Sequence, residues 1–298
     1  YKVRLPKIDH TPSFKETFVV LGKNRLLIIV IFAAILGSTM VTANQCADYI
    51  GNYIIIQNYT NFTQIFQDFL PGAQSTLVPN VDAAAAYDFW IPRGTIVTTL
   101  TVAIGVGMVP AMAIFPMLRK KFSLKQIYIG SALFGLVVHA LCYVVIAQDV
   151  TKANIYVLWV FLFLMGLPLG IYNVITYALI ADSVDYLEWK TGERQEGVCF
   201  AFQTFLSKVN AAVATFVFGQ ILDGTDFKAV DKSLVDNAGR QIFFQQSVDT
   251  QKMLLALVTI VPAVGFLLTI IPMFFNNYTG KVKEQAQKEL EEKREKLM

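Results

Sequence analysis

Charge is what this chain has least of. Only 16% of its 298 residues are Asp, Glu, Lys or Arg, against roughly 25% in a soluble globular domain. Histidine occurs twice, as His10 and His139, and cysteine three times, as Cys46, Cys142 and Cys199. No set of His, Cys, Asp and Glu stands at metal-ligand spacing, no glycine-rich loop suits a phosphate, and no nucleophile has a matching base. These shortages argue against an enzyme and against a resident metal or cofactor. The net charge of +3 is uninformative by itself, since its distribution is what matters, and no nucleic-acid partner is expected. The odd number of cysteines, all within or at the ends of apolar segments, points to free thiols rather than a disulfide framework.

Apolar residues take the place of the missing charge. They make up 55% of the chain, with a mean hydropathy of +0.50. They fall in about six blocks: Leu26–Ala47, Ile91–Leu118, Gln126–Ala147, Ile155–Ile180, Val198–Leu222 and Met253–Phe275. Each reaches the roughly 20 residues that cross a bilayer as a helix. The pattern predicts an all-α, multi-pass membrane protein. Eighteen of the 25 Lys and Arg fall before the first block, in the turn at Arg119–Lys125, around Lys190 and Arg194, or after the last block; six lie on the other side. That bias predicts six crossings with both ends in the cytoplasm, in the cell membrane. The expected division is a linker over 1–24, a six-helix bundle over 25–276 and a charged tail over 277–298. The chain starts at Tyr1 and reads as a fragment that begins in a cytoplasmic linker.

Thr11 and Pro12 predict the start of a short amphipathic helix over Ser13–Leu21. The first span would be about 48 Å long if it ran straight from Leu26 to Gln57, against a core of about 30 Å. It must tilt, break near Gly51 or project outward. Asn44, Asp48 and Asn52 recur every four residues and share a face, either as a wall of an aqueous cavity or as the wet end of the helix. Asn58–Asp88 reads as an outer loop with two glycosylation sequons. Gly105, Gly107, Pro110 and Pro116 predict a kinked second span, and Gly166–Gly170 a mid-membrane break in the fourth. His139 reads as a hydrogen-bonding residue between helices. The tail, with Glu284–Lys288 and Glu289–Lys293 at helix-favouring spacing, reads as a solvated cytoplasmic helix without chemistry.

The densest polarity lies between the fourth and fifth spans, in the run ADSVDYLEWKTGERQEG over 181–197. Asp182, Asp185 and Glu188 follow one another every three residues along one side of a helix. They stand at its C-terminal end, where the macrodipole disfavours anions, so cations must compensate. Arg194, the cluster beginning at Arg119, or basic residues elsewhere in the protein could do so. The fifth span then carries Gln203, Thr204, Ser207 and Lys208. Lys208 lies roughly 15 Å from the edge at Val198, near the bilayer midplane. A lysine there costs about 2.5–3.5 kcal/mol even on the mildest insertion scale, so it must face a cavity or a carboxylate.

This run, followed by FQTFLSK over 202–208, resembles the signature of the glycoside–pentoside–hexuronide:cation symporters, the melibiose-permease-like branch of the major facilitator superfamily. The resemblance implies the C-terminal six-helix half of a sugar symporter coupled to Na⁺ or H⁺ and working by alternating access. It implies that Asp182, Asp185, Glu188, Arg194 and Arg119 form a cytoplasmic gate. It places Gln203 and Thr204 near the sugar and cation sites and Lys208 beside the cation site. Asn173, Thr176, Asn44 and Asn52 are the further candidates for sugar contact. The main cation-binding carboxylates would lie on an N-terminal half. Lipid or lysophospholipid transport is the alternative, since some relatives of that family carry lipids.

Overall fold

The computed structural model describes residues 22–55, 93–192, 194–229 and 246–296. The expected helix over Ser13–Leu21, the loop Asn58–Asp88 with its sequons and the centre of the loop before the last span lie outside these residues. The described chain is helical throughout: α1 (Arg25–Leu36), a 3₁₀ segment (Ser38–Gln45), α2 (Cys46–Ile50), a π turn (Gly51–Ile55), α3 (Arg93–Arg119), α4 (Leu124–Ala147), α5 (Ile155–Thr191), α6 (Glu196–Asp223), α7 (Val248–Phe274) and α8 (Gly280–Lys296). Five helices, α3 to α7, are long and apolar enough to cross a membrane, and the bent pair Arg25–Leu36 and Ser38–Ile55 passes the same test only when taken together.

Helix ends fall where local chemistry puts them. Asn24, Ser123, Asn154 and Ser247 accept backbone N–H groups of the first turns of α1, α4, α5 and α7. Each satisfies a donor that would otherwise lack a partner at a helix start. Gln126 returns a bond to the Ser123 N–H and completes a capping box. Thr191 is the last residue of α5, and Gly192 closes it with φ of 76°, its N–H bonded to the Glu188 carbonyl. That left-handed conformation favours glycine.

Two expectations about broken helices are corrected. The first span breaks at Gly37, not near Gly51, and bends by 51° there. A Cβ on Gly37 would lie 2.7–2.8 Å from Met40 and Thr269. The bend therefore brings the chain against α7, where the Thr269 hydroxyl donates to the Ala33 carbonyl. Thr269 also bonds Tyr128 of α4 at 2.6 Å, so three helices meet at the bend. In contrast, α5 runs unbroken through Pro168. Its glycines serve close packing: a Cβ on Gly166 would sit 2.1 Å from the Ile104 carbonyl of α3, and one on Gly107 2.0 Å from the Phe163 carbonyl. Small residues let membrane helices approach backbone to backbone, and α3 and α5 do so here. His139 is also corrected: its Nδ1 bonds the Gly135 carbonyl of its own helix, and its ring packs on Phe266.

The apolar core divides along the bundle axis. One cluster holds Ile50, Ile54, Leu100, Leu158 and Phe266, and another Leu27, Ile175, Leu179, Leu187 and Met273. The second lies toward the end where α5 and α8 carry their charges.

Candidate functional site

α5 has 37 residues, a length of about 55 Å at 1.5 Å per residue. It outruns a hydrocarbon core of about 30 Å, and its last three turns carry the carboxylates. Asp182 is buried, while Asp185 and Glu188 are partly buried. Each is paired. Lys283 Nζ lies 2.5 Å from Asp182 Oδ2. Arg194 Nη1 donates to both Asp185 Oδ1, at 2.9 Å, and Glu188 Oε2, at 2.8 Å. Arg294 grips Glu188 with two bonds, Nε to Oε1 at 3.1 Å and Nη2 to Oε2 at 2.6 Å. Arg294 also stands 3.6 Å from Asp185. The paired guanidinium fork is the strong form of such contacts.

Two of these three cations, Lys283 and Arg294, come from α8. The expected solvated tail without chemistry is therefore a docked helix. Lys283, Ala286, Leu290 and Arg294 are spaced by three, four and four residues, which puts them on one face. Ala286 and Leu290 are buried. Ala286 joins Leu26 and Tyr278 in a small core with Tyr186 and Trp189. The Trp189 indole donates to Glu289 Oε2 at 2.6 Å, and this bond holds the Glu289 carboxyl below the usual range. Burial pushes the Tyr278 phenol up, and the charges of Asp185 and Asp182 add to it. Sequence reasoning missed this face because Glu–Lys pairing along the tail imitates a fully wet helix.

The carboxylates thus have the compensating cations that the helix dipole demands, but not all from the expected source. Arg194 reaches across the α5–α6 turn as its position suggests. Arg119, at the end of α3, is exposed and acts on Asp182 through its field rather than by contact. Asn24, which has no charge to betray it, is fully buried at the junction. Its amide donates to the Ser183 carbonyl at 2.9 Å and points toward Cys199 Sγ, so it links the start of α1 to α5 and α6.

The expected substrate residues stand apart from this cluster. Lys208, Thr204 and Asn173 are exposed, as is Asn44; Gln203, Thr176 and Asn52 are partly so. Among the described residues no hydrogen bond joins any two of them. Thr176 and Thr204 bond the carbonyls of Tyr172 and Phe200 in their own helices. Lys208 has no ion pair among the described residues, so its charge is uncompensated by this bundle. α6 itself touches its neighbours along a narrow stripe, Leu206, Asn210, Ala214 and Phe218. The rest of its surface, with Thr204, Ser207 and Lys208 on it, faces away from the bundle.

Comparison with known proteins agrees with this architecture. Residues 86–280 match the family model of MFS/sugar transport proteins. The chain is 33% identical over 121 residues to the "Putative sulfoquinovose importer" of Salmonella typhimurium, which covers 41% of this chain and 23% of the importer. It is 31% identical over 114 residues to the inner membrane symporter YicJ of Escherichia coli, 38% of this chain and 22% of that protein. Identity to the raffinose carrier protein of Pediococcus pentosaceus is 26% over 152 residues, 50% of this chain and 22% of the carrier. The chain thus matches well under half the length of each of these relatives. On the family match and the helical architecture together, the chain belongs to the melibiose-permease-like MFS/sugar transport protein family.

Proposed function

We propose that this chain forms the C-terminal six-helix half of a sugar:cation symporter that works by alternating access. In this reading the charged end, with both chain termini, faces the cytoplasm of a cell-membrane protein. The observation that carries it is the clasp at the end of α5, where Asp182, Asp185 and Glu188 are held by Arg194, Lys283 and Arg294. Ion pairs near a surface can be made and broken at modest cost, which makes them suitable as a gate. If they form only while the inner side is closed, they bias the equilibrium between the two states by their own free energy. Arg119 adds a long-range contribution at Asp182.

A sugar substrate is supported by the relatives, two of which are named for sulfoquinovose and for raffinose. Asn44, Asn52, Asn173, Thr176, Gln203 and Thr204 supply amides and hydroxyls of the kind that bind sugar hydroxyls. Lys208, with Thr204 one turn away, would serve coupling. Its ammonium would hold carboxylates of the N-terminal half until Na⁺ or H⁺ occupies them. The cation is cargo, and the reading requires no resident cofactor.

The experiment is counterflow of radiolabelled glycosides into proteoliposomes holding the full-length transporter, with Na⁺ or pH gradients imposed in turn. Glycoside uptake that follows either gradient supports the reading. Uptake of labelled lysophospholipid in place of any glycoside would replace it with lipid transport.

A further inference from the structure

A groove of about 460 Å³ opens on the side of the bundle, between the end of α3, the first half of α4 and the middle of α5. Leu118, Phe122, Ile127, Phe134, Pro168 and Ile171 form its walls. Its two polar members already make bonds within the protein, through the Gln126 carbonyl oxygen and the Ser131 hydroxyl. Gln126 Oε1 accepts from the Ser123 N–H and Oγ, and the Ser131 hydroxyl donates to the Tyr128 carbonyl. An occupant would therefore find a slot that is apolar apart from the exposed Gln126 amide and the Ser131 hydroxyl. Gly130 lines the slot and faces open space. A Cβ built there meets no atom within 4 Å.

The groove turns away from the polar faces. On α5 its residues Leu167, Pro168 and Ile171 lie within about 100° of one another at 100° per residue. Asn173 and Thr176 lie more than about 130° from their mean direction. On α5 the groove thus lies on the opposite side from the face proposed to bind sugar, and in the proposed six-span reading it faces the bilayer. One end of its lining, Leu118 and Phe122, flanks the basic turn. Arg119, Lys120 and Lys121 are all exposed, directly between the lining residues Leu118 and Phe122. Lys125 is not available, because its ammonium binds the Phe274 and Asn276 carbonyls. On α4 the lining runs from Gln126 to Phe134, about 12 Å along the helix, most of the depth of one leaflet, about 15 Å.

We propose that this groove is a binding site for one anionic diacyl phospholipid, with an acyl chain lying along Gly130 and the phosphate on Lys120 and Lys121. Clusters of Lys and Arg at the membrane edge of transmembrane helices recognise acidic headgroups, and each contributes on the order of a few-fold to tenfold in affinity. The chemistry is that of phosphatidylglycerol rather than phosphatidylcholine, since the basic turn holds no carboxylate to meet a choline.

Native mass spectrometry of the full-length transporter, released from nanodiscs of equal parts phosphatidylglycerol and phosphatidylcholine, tests this. The expected result is one retained phosphatidylglycerol per protein. Gly130→Leu projects its side chain into the slot and, in protein of unchanged melting temperature, should reduce retention at least tenfold, whereas Gly130→Ala should reduce it little. Lys120→Gln with Lys121→Gln should leave a lipid bound but cut the preference for phosphatidylglycerol by roughly 30-fold. Arg119 is left intact because its field reaches Asp182. Equal retention of both lipids by the unaltered protein, or retention by Gly130→Leu equal to it, would overturn the proposal.

Discussion

Replacing Lys283 with alanine should loosen α8 while leaving the bundle folded. An isolated helix of 17 residues is only marginally stable in water, so the protection of its amides reflects docking on α5. Four attachments hold it: the Lys283–Asp182 pair, the doubly bonded Arg294–Glu188 pair, the Trp189–Glu289 bond, and the buried Ala286 and Leu290. The side chains of Lys283 and Asp182 are 18% and 12% exposed, so solvent screens this pair only partly. A hydrogen bond between charged groups in such a setting contributes about 1.5–3 kcal/mol. Taking about 2 kcal/mol, its loss should raise the opening equilibrium of α8 roughly 30-fold. Hydrogen exchange with mass spectrometry in nanodiscs reads this as faster exchange over 280–296, with α4 and α7 unchanged. Lys288, exposed on the far side, is the control, and Lys288→Ala should change the rate less than twofold. If Lys283→Ala also leaves exchange of α8 within twofold of the unaltered protein, the tail is not held as described.

Three further outcomes follow. Gly166→Val should lower the melting temperature of the purified protein sharply, because its Cβ would meet the Ile104 carbonyl at 2.1 Å and overpacking costs about 1–3 kcal/mol or more; an unchanged melting temperature would contradict the α3–α5 contact. Lys208→Ala should abolish gradient-driven sugar accumulation in the full-length transporter while protein in the membrane stays at its normal amount; normal accumulation with reduced protein would mean that Lys208 only fixes packing. A thiol placed by Lys121→Cys should resist an impermeant maleimide in intact cells and react in inside-out vesicles; reaction in intact cells would reverse the orientation proposed here.

The spans were legible because length and apolarity alone decide whether a helix can cross a bilayer, and the blocks read from composition return as α3 to α7 and the bent first span. The charged run at 181–197 was legible for a related reason: three carboxylates against a helix dipole require partners. Which partners could not be read. Arg194 is close in sequence, but Lys283 and Arg294 are about a hundred residues away, and only packing brings them to Asp182 and Glu188. Glycine and proline misled in both directions. Gly166, Pro168 and Gly170 resemble a helix break, yet they mark where α5 meets α3. Gly37 sits in an ordinary apolar run, and its bend depends on Thr269 and Met40 waiting beside it. The face with Asn173, Thr204 and Lys208 is polar in the sequence and outward in the structure. Among the described residues no hydrogen bond or ion pair joins these three side chains to one another, so the sequence pattern alone could not say what they meet.

The central claim is that the clasp at the end of α5 keeps the inner side closed. A cysteine at Ser207 reports on it directly, since Ser207 is exposed on the α6 face that carries Lys208, while the native Cys46, Cys142 and Cys199 are buried. In inside-out vesicles holding the full-length transporter, Asp185→Asn combined with Glu188→Gln should speed maleimide labelling of Ser207→Cys by about tenfold or more, for a loss of at least about 1.4 kcal/mol of pairing. Labelling at the same rate with and without the two carboxylates would contradict the claim.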